Sequence, residues 1–170
     1  TRRLEMSTYI GIDPGLSGAM VAVDEEGEVV GQLVMPRTNG SKGPLDVKCI
    51  LAWIIEVKGG GKTSASLERV STRPGQSATS TLTSGVNWGR LDALLTALGI
   101  RYDTPTPQQW KRKLGLPKRP AKERQQAKID AVQLAGNLFP SLELMPGRKT
   151  TPHDGLADAA LIAEYARRTL

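Results

Sequence analysis

A single cysteine and seven aromatic residues in 170 positions leave several kinds of chemistry without material. Cys49 has no partner for an internal disulfide, which fits a reducing compartment and leaves thiol redox and thiol–metal chemistry unsupported. Its neighbours Val47, Ile50, Leu51 and Trp53 predict that it is a small core residue. Three tryptophans, three tyrosines and one phenylalanine are too few to fill a core and also build a base-stacking platform for single strands. No run approaches the ~20 apolar residues of a membrane helix, and no apolar stretch behind a basic N-terminus forms a secretory signal. The expectation is a soluble, intracellular protein with no membrane partner. Internal repeats are absent. Thr1 to Glu5 precedes Met6 and fits no later pattern, so it is set aside as an expression remnant. Residues 6–170 are then read as one domain, long enough at 39% hydrophobic content for a proper core and too short for two.

The charge is plentiful and unevenly placed. Between Trp110 and Lys128 stand Lys111, Arg112, Lys113, Lys118, Arg119, Lys122, Arg124 and Lys128 against Glu123 alone, so the formal +6 is concentrated there and the remainder of the chain is about neutral. Phosphate contact is one reading of such a stretch, and a solvated helix face is the plain alternative.

The coarse pattern is mixed. Thr8 to Asp13, Ala19 to Asp24 and Val29 to Met35 read as three consecutive antiparallel strands, with Pro14-Gly15 and Glu25-Glu26-Gly27 as turns. Asn39 to Gly43 reads as a flexible stretch. Pro44 to Lys58 reads as an amphipathic helix begun by proline. Ala65 to Val70 makes a fourth strand, Ser71 to Ser84 a long Ser/Thr-rich loop, and Trp88 to Leu98 a helix ended by Gly99. Ile100 to Asp103 is a fifth strand, and Thr106-Pro107 opens a short helix. Further helices follow at about Ala121 to Leu138 and Asp154 to Arg168. The fold class is α/β, a five-stranded mixed sheet flanked by helices.

Four acids fall at strand or helix positions. Asp154, Asp158, Leu161 and Tyr165 share one helical stripe, so two carboxylates extend an apolar face. Ionised carboxylates there must reach solvent or meet a cation. The plain alternative makes Asp154 an N-cap and Asp158 a partner of the helix dipole. Asp13 ends the first strand on the face of Tyr9 and Gly11, where Gly11 leaves space beside it; an Asp before Pro-Gly is otherwise a turn residue. Glu68 shares a face with Ser66 and Val70 by alternation, with a solvent-facing glutamate as its alternative. Taken together, hard oxygen ligands beside basic phosphate contacts suit magnesium or manganese chemistry on a phosphodiester.

The stretch Gly11-Ile12-Asp13-Pro14-Gly15-Leu16-Ser17-Gly18-Ala19 resembles the opening strand and turn of RuvC-like Holliday junction resolvases. Glu68-Arg69-Val70 with Pro74-Gly75-Gln76-Ser77 resembles the second acidic strand and DNA-facing loop of phage and chloroplast members. Thr106 to Lys111 is similar to their Trp-containing helix start, and His153 to Ala159 to their terminal acidic helix. The likeness runs in order from Thr8 onward. It implies an RNase H-like fold, a homodimer, and paired symmetric cuts in four-way DNA junctions with two Mg2+ or Mn2+ ions. It also implies a bacterial or phage-infected cytoplasm, or an organelle, as the setting. By position, Asp13, Glu68 and Asp158 match the metal-binding acids, Asp13 bridging the metals. Many bacterial members carry the fourth acid three residues before the last, which here is Gly155. Asp154 lies about 40° from Asp158 around the helix and His153 about 140°, so Asp154 is the better fourth ligand and His153 the substitute. Arg73, Gln76, Ser77 and Ser80 in the Ser71 to Ser84 loop would contact the junction, and Lys111, Lys118, Arg119, Lys122 and Arg124 would hold its arms.

Gly59-Gly60-Gly61-Lys62-Thr63 suggests a phosphate-binding loop. However, Glu56 occupies its required first glycine, and it leads from helix to strand rather than the reverse, so no nucleotide cofactor is expected. An RNase H-type nuclease acting on RNA–DNA hybrids shares the fold and metals, with the loop after Glu68 against it. A non-catalytic branched-nucleic-acid-binding module would tolerate loss of Asp13 or Glu68. An ATPase of the actin and sugar-kinase type needs a second such domain, which 170 residues cannot hold.

Overall fold

The apolar runs at the N-terminus fold as expected into Thr8–Asp13 (β1), Ala19–Asp24 (β2) and Val29–Val34 (β3), paired antiparallel in sequence. Thr63–Leu67 (β4) lies parallel to β1, and Arg101–Asp103 (β5) parallel to β4, giving the order β3-β2-β1-β4-β5. The structure is a computed structural model that describes residues 6–40, 43–72, 75–147 and 150–170. Thr1 to Glu5, Ser41, Lys42 and Arg73 therefore lie outside the described residues. Among the described residues no helix is long and apolar enough to cross a membrane.

Strand alternation divides the core between the two faces of the sheet. Ile10, Ile12, Met20, Ala22 and Leu67 pack with Ile50, Trp53 and Ile54 of Val47–Val57 (α1) and with Leu91 and Leu95 of Ala78–Ala97 (α2). Ala19, Val21 and Val23 point the other way, onto Asp154–Thr169 (α5). Arg124–Leu138 (α4) and Pro107–Lys113 (α3) close that side through Ala131, Ala135 and Trp110. Helices on both faces explain why the strands read as nearly continuous apolar runs.

Lying between the sheet and α4, α5 is buried on almost every side and therefore rich in small residues from Ala157 to Ala166. It crosses β1 at Gly11, where any Cβ would fall well inside van der Waals contact of the Ala159 carbonyl oxygen and the Ala163 nitrogen. The room that the sequence suggested beside Asp13 is thus filled by helix backbone.

Several sequence expectations are corrected. α1 starts at Val47 rather than Pro44, because the Asp46 side chain accepts the Cys49 amide at 3.1 Å and caps it. Its inward stripe is Ile50, Trp53, Ile54 and Val57, which leaves Cys49 exposed, not in the core. β4 stops at Leu67, so Glu68 stands one residue beyond it. The Glu68 amide still reaches the Ile12 carbonyl at 3.0 Å, but the next amide, on Arg69, meets Pro105, which has no N–H to return. The long loop is largely helix: Ser77 accepts the Ser80 amide and starts α2 at Ala78. The first of its buried residues, Asn87, Leu91 and Leu95, comes only halfway along, so Ala78 to Val86 projects without a core face.

Candidate active site

Three elements bring acids to one place. Asp13 closes β1, Glu68 follows the end of β4 beside it, and Asp154 and Asp158 lie in the first turns of α5, which crosses β1 directly. Side chains that ligate or react are commonly carried at the carboxyl ends of parallel strands such as these. All four carboxylates are half-buried.

The charges of this group act on one another. Glu68 is pushed up to about 7, first by burial and then by the charge of Asp13, with Asp158 adding to it; the Trp110 hydrogen bond and Lys111 oppose the rise. Burial likewise lifts Asp158 to about 6, against the pull of Lys111 and with the push of Asp13 and Asp154. These shifts mark a negative cluster that the protein's own cations do not fully compensate.

Asp13, Glu68 and Asp154 each have a local partner that fixes their direction. One Asp13 oxygen accepts the Gly15 amide at 3.1 Å, as the turn-residue reading anticipated, while its charge still acts on Glu68. Glu68 Oε1 accepts the indole N–H of Trp110 at 2.8 Å. Asp154 pairs with Lys128. Consistent with these separate tethers, no three His, Cys, Asp or Glu side chains among the described residues converge as a preformed ion cage. The donor set nevertheless suits a hard divalent cation, since it consists of carboxylate oxygens whose mutual repulsion such a cation would relieve.

His153 is the N-cap of α5, which displaces Asp154 from the capping role. Its Nδ1 accepts the Leu156 amide at 3.2 Å within a buried site. With that lone pair engaged, the neutral ring carries its proton on Nε2. A carboxylate at position 155 is excluded by packing: a Cβ there would lie 2.6 Å from the Ser17 carbonyl oxygen and 2.8 Å from Gly18 Cα. The turn after β1 occupies the space that a side chain at position 155 would need.

The basic residues separate into two kinds. Lys111, Arg124 and Lys128 line a cleft with Asp154 and Asp158, and Lys118 and Lys122 are exposed nearby in the chain. Arg119 instead bonds Asp130 and Glu123, tying the segment before α4 to that helix. Gln76, Ser77 and Ser80 are exposed or half-exposed around the start of α2, where the Gln76 amide donates to the Ser80 hydroxyl at 3.2 Å.

The sequence reading assigned no role in the site to Trp110, Trp88 or Lys128. For Trp110 there was a signal: an indole set among glutamines and lysines directly after a Thr106/Gln109 capping box has a local reason to turn inward. Lys128 was visible only as one charge among many, because its partner lies on a distant helix.

No protein-family model matches the chain, and no curated protein sequence matches it. Solved structures do. Thermus thermophilus RuvC in complex with a Holliday junction substrate is similar with a TM-score of 0.63 and 18% identity, covering 95% of this chain and 96% of that one. A second Thermus thermophilus RuvC structure gives a TM-score of 0.56 and 20% identity over the same shares. The chain therefore has the RNase H-like fold of RuvC over nearly its full length.

Proposed function

We propose that the chain is a divalent-metal-dependent endonuclease that resolves four-way DNA junctions, acting as a homodimer. The observation that carries this reading is the group of Asp13, Glu68 and Asp158, with Asp154 beside it, held half-buried and mutually repelling on an otherwise basic protein. A protein that keeps such a group uncompensated gains from it only when a cation arrives. Magnesium or manganese held there supplies the charge that activates water and steadies the departing 3′ oxygen. Asp13 and Glu68 offer oxygens from the sheet, and Asp158 offers them from the helix. Asp154 would complete the set by parting from Lys128, which would then be available to a phosphate oxygen. Lys111, Lys118, Lys122 and Arg124 surround the cluster with the positive charge that a phosphate backbone requires.

The RuvC-like fold supports a branched DNA as substrate, and the paired-cut mechanism needs two such sites related by a twofold axis. Leu82, 68% exposed, and Val86, 43% exposed, stand one turn apart on the projecting half of α2, an apolar surface that a partner subunit can cover.

The test offers the full chain a synthetic four-way junction, a linear duplex and an RNA–DNA hybrid, each with and without Mg2+ or Mn2+. Metal-dependent, symmetric nicking of the junction in preference to the other two is expected, abolished by Asp13→Asn. Preference for the hybrid, or full cutting by Asp13→Asn, overturns the proposal. Binding of the junction without cutting under all metal conditions would assign the chain to non-catalytic recognition.

A further inference from the structure

Two indole N–H groups from two different helices converge on Glu68. Trp110 of α3 donates to its carboxylate at 2.8 Å, and Trp88 of α2 donates to its main-chain carbonyl at 3.0 Å. The Glu68 amide is held by Ile12 of β1 at 3.0 Å, so the residue is fixed at its nitrogen, its carbonyl and its side chain. Among the described residues no second hydrogen bond to this carboxylate is seen, and Trp110 itself is fully buried.

The choice of donor matters. A buried indole must place its N–H on some acceptor, but a main-chain carbonyl would serve at lower cost than a carboxylate already crowded by Asp13. An arginine or lysine in the same place would neutralise the glutamate and compete with a cation for it. The indole carries no formal charge: it aims the carboxylate without satisfying its charge. Lys111, the next residue, lies over the Trp110 ring at 5.0 Å from its centroid, so its charge acts on Glu68 from over the indole rather than through a direct ion pair.

We propose that Trp110 is a positioning residue that fixes Glu68 Oε1 so that the carboxylate faces the Asp13 and Asp158 side in one orientation, with Trp88 locking the main chain behind it. The inference rests on the reading that Glu68 helps to hold a divalent cation. Its expected signature is cation affinity that depends on an N–H group making no contact with the cation. Residues that orient ligands in this way typically contribute about 10- to 100-fold to metal affinity.

The full chain is labelled with 15N at its three indoles and titrated with Mn2+, with Mg2+ as the diamagnetic control. Loss of single resonances in Trp53→Phe and Trp88→Phe assigns the Trp110 signal by elimination. Mn2+ should broaden Trp110 first and Trp53 last, since Trp53 packs on the opposite face of the sheet. Glu68→Gln should shift the Trp110 resonance. Trp110→Phe keeps the ring but lacks the N–H, and should weaken Mn2+ binding, read by electron paramagnetic resonance, by about 10- to 100-fold. In a Glu68→Gln background the same change should have no further effect.

Mn2+ binding that needs Asp13 yet is unchanged in Trp110→Phe overturns this inference and leaves the proposed function standing. Binding that is indifferent to Asp13→Asn removes the cation site and overturns both. Should Trp110→Phe fail to fold, a Trp110 resonance in the parent protein that responds to neither Mn2+ nor Glu68→Gln refutes the inference by itself.

Discussion

Glu68→Gln should make the metal-free protein more stable at pH 8. The Glu68 carboxyl is pushed from 4.5 to about 7 by burial and by Asp13, so keeping it ionised in the folded state costs about 3 kcal/mol well above pH 7, at ~1.36 kcal/mol per pH unit. Glutamine has nearly the same shape, and its Oε1 can still accept the Trp110 N–H. Because the folded-state value is raised, the stability contributed by the protonated acid is complete below its unfolded value of 4.5 and is lost as pH rises to about 7. The advantage of the variant should therefore be near zero at pH 4, grow between pH 4.5 and 7, and level off above. For a chain of this size, about 3 kcal/mol corresponds to roughly 6 to 12 °C in Tm. Thermal melts of both proteins across this pH range in a chelator measure it. Added Mn2+ at pH 8 should then raise the Tm of the parent more than that of Glu68→Gln. A gap that does not change with pH, or a variant less stable than its parent at pH 8, would refute the electrostatic reasoning.

Gly155→Asp, which places a carboxylate three residues before Asp158, should lower stability by about 1 to 3 kcal/mol in denaturant titrations, because its Cβ meets the Ser17 carbonyl at 2.6 Å. His153→Asn should retain the α5 cap and Mn2+ binding, since a side-chain oxygen caps as well as Nδ1 does, whereas Asp154→Asn should weaken that binding. Glu164, 3% exposed at its side chain, is raised by burial but lowered on balance by its bonds to Arg167 and Arg168. Its contribution is thus present above pH ~4.5 and lost as pH falls through its depressed value; Glu164→Gln should cost about 1 to 3 kcal/mol at pH 7, with the deficit shrinking in acid melts. Lys118→Ala and Lys122→Ala should each reduce the slope of junction affinity against salt by about 1, whereas Arg119→Ala, whose guanidinium bonds Asp130 and Glu123, should act on thermal stability instead.

The parts of the fold legible in the sequence were those whose packing writes a period into it. β1, β2 and β3 face helices or neighbouring strands and read as apolar runs. The core half of α2 shows Leu91 and Leu95 one turn apart. The first half of α2 could not be read in this way: its residues from Ala78 to Val86 bury nothing, so no apolar period exists, and only the Ser77 cap and continuity with the packed half make it helical. Cys49 misled for a related reason. Apolar neighbours in sequence on a helix point around the whole axis, and the inward stripe of α1 is set by which side meets β3 and the core, leaving Ile55 61% exposed beside it.

At the site, the same distinction separates the acids. Asp13, Glu68 and Asp158 were visible because they end a strand, interrupt an otherwise uncharged one and extend an apolar helical stripe, positions where a carboxylate needs a reason. Neither helix geometry nor motif spacing separates the candidates for a fourth ligand, because what bears on them lies outside α5. The turn at Ser17 and Gly18 presses on position 155 and forces glycine there, and the Nδ1 of His153 is engaged by the Leu156 amide. Asp154 remains, held by Lys128 from α4. In the proposed reading Asp154 would join the other carboxylates by parting from Lys128, whose positive charge lies in the same cleft as Lys111 and Arg124. Loading the carboxylates and preparing the phosphate contact would then be one event, with Lys128 exchanging an internal anion for one on the DNA.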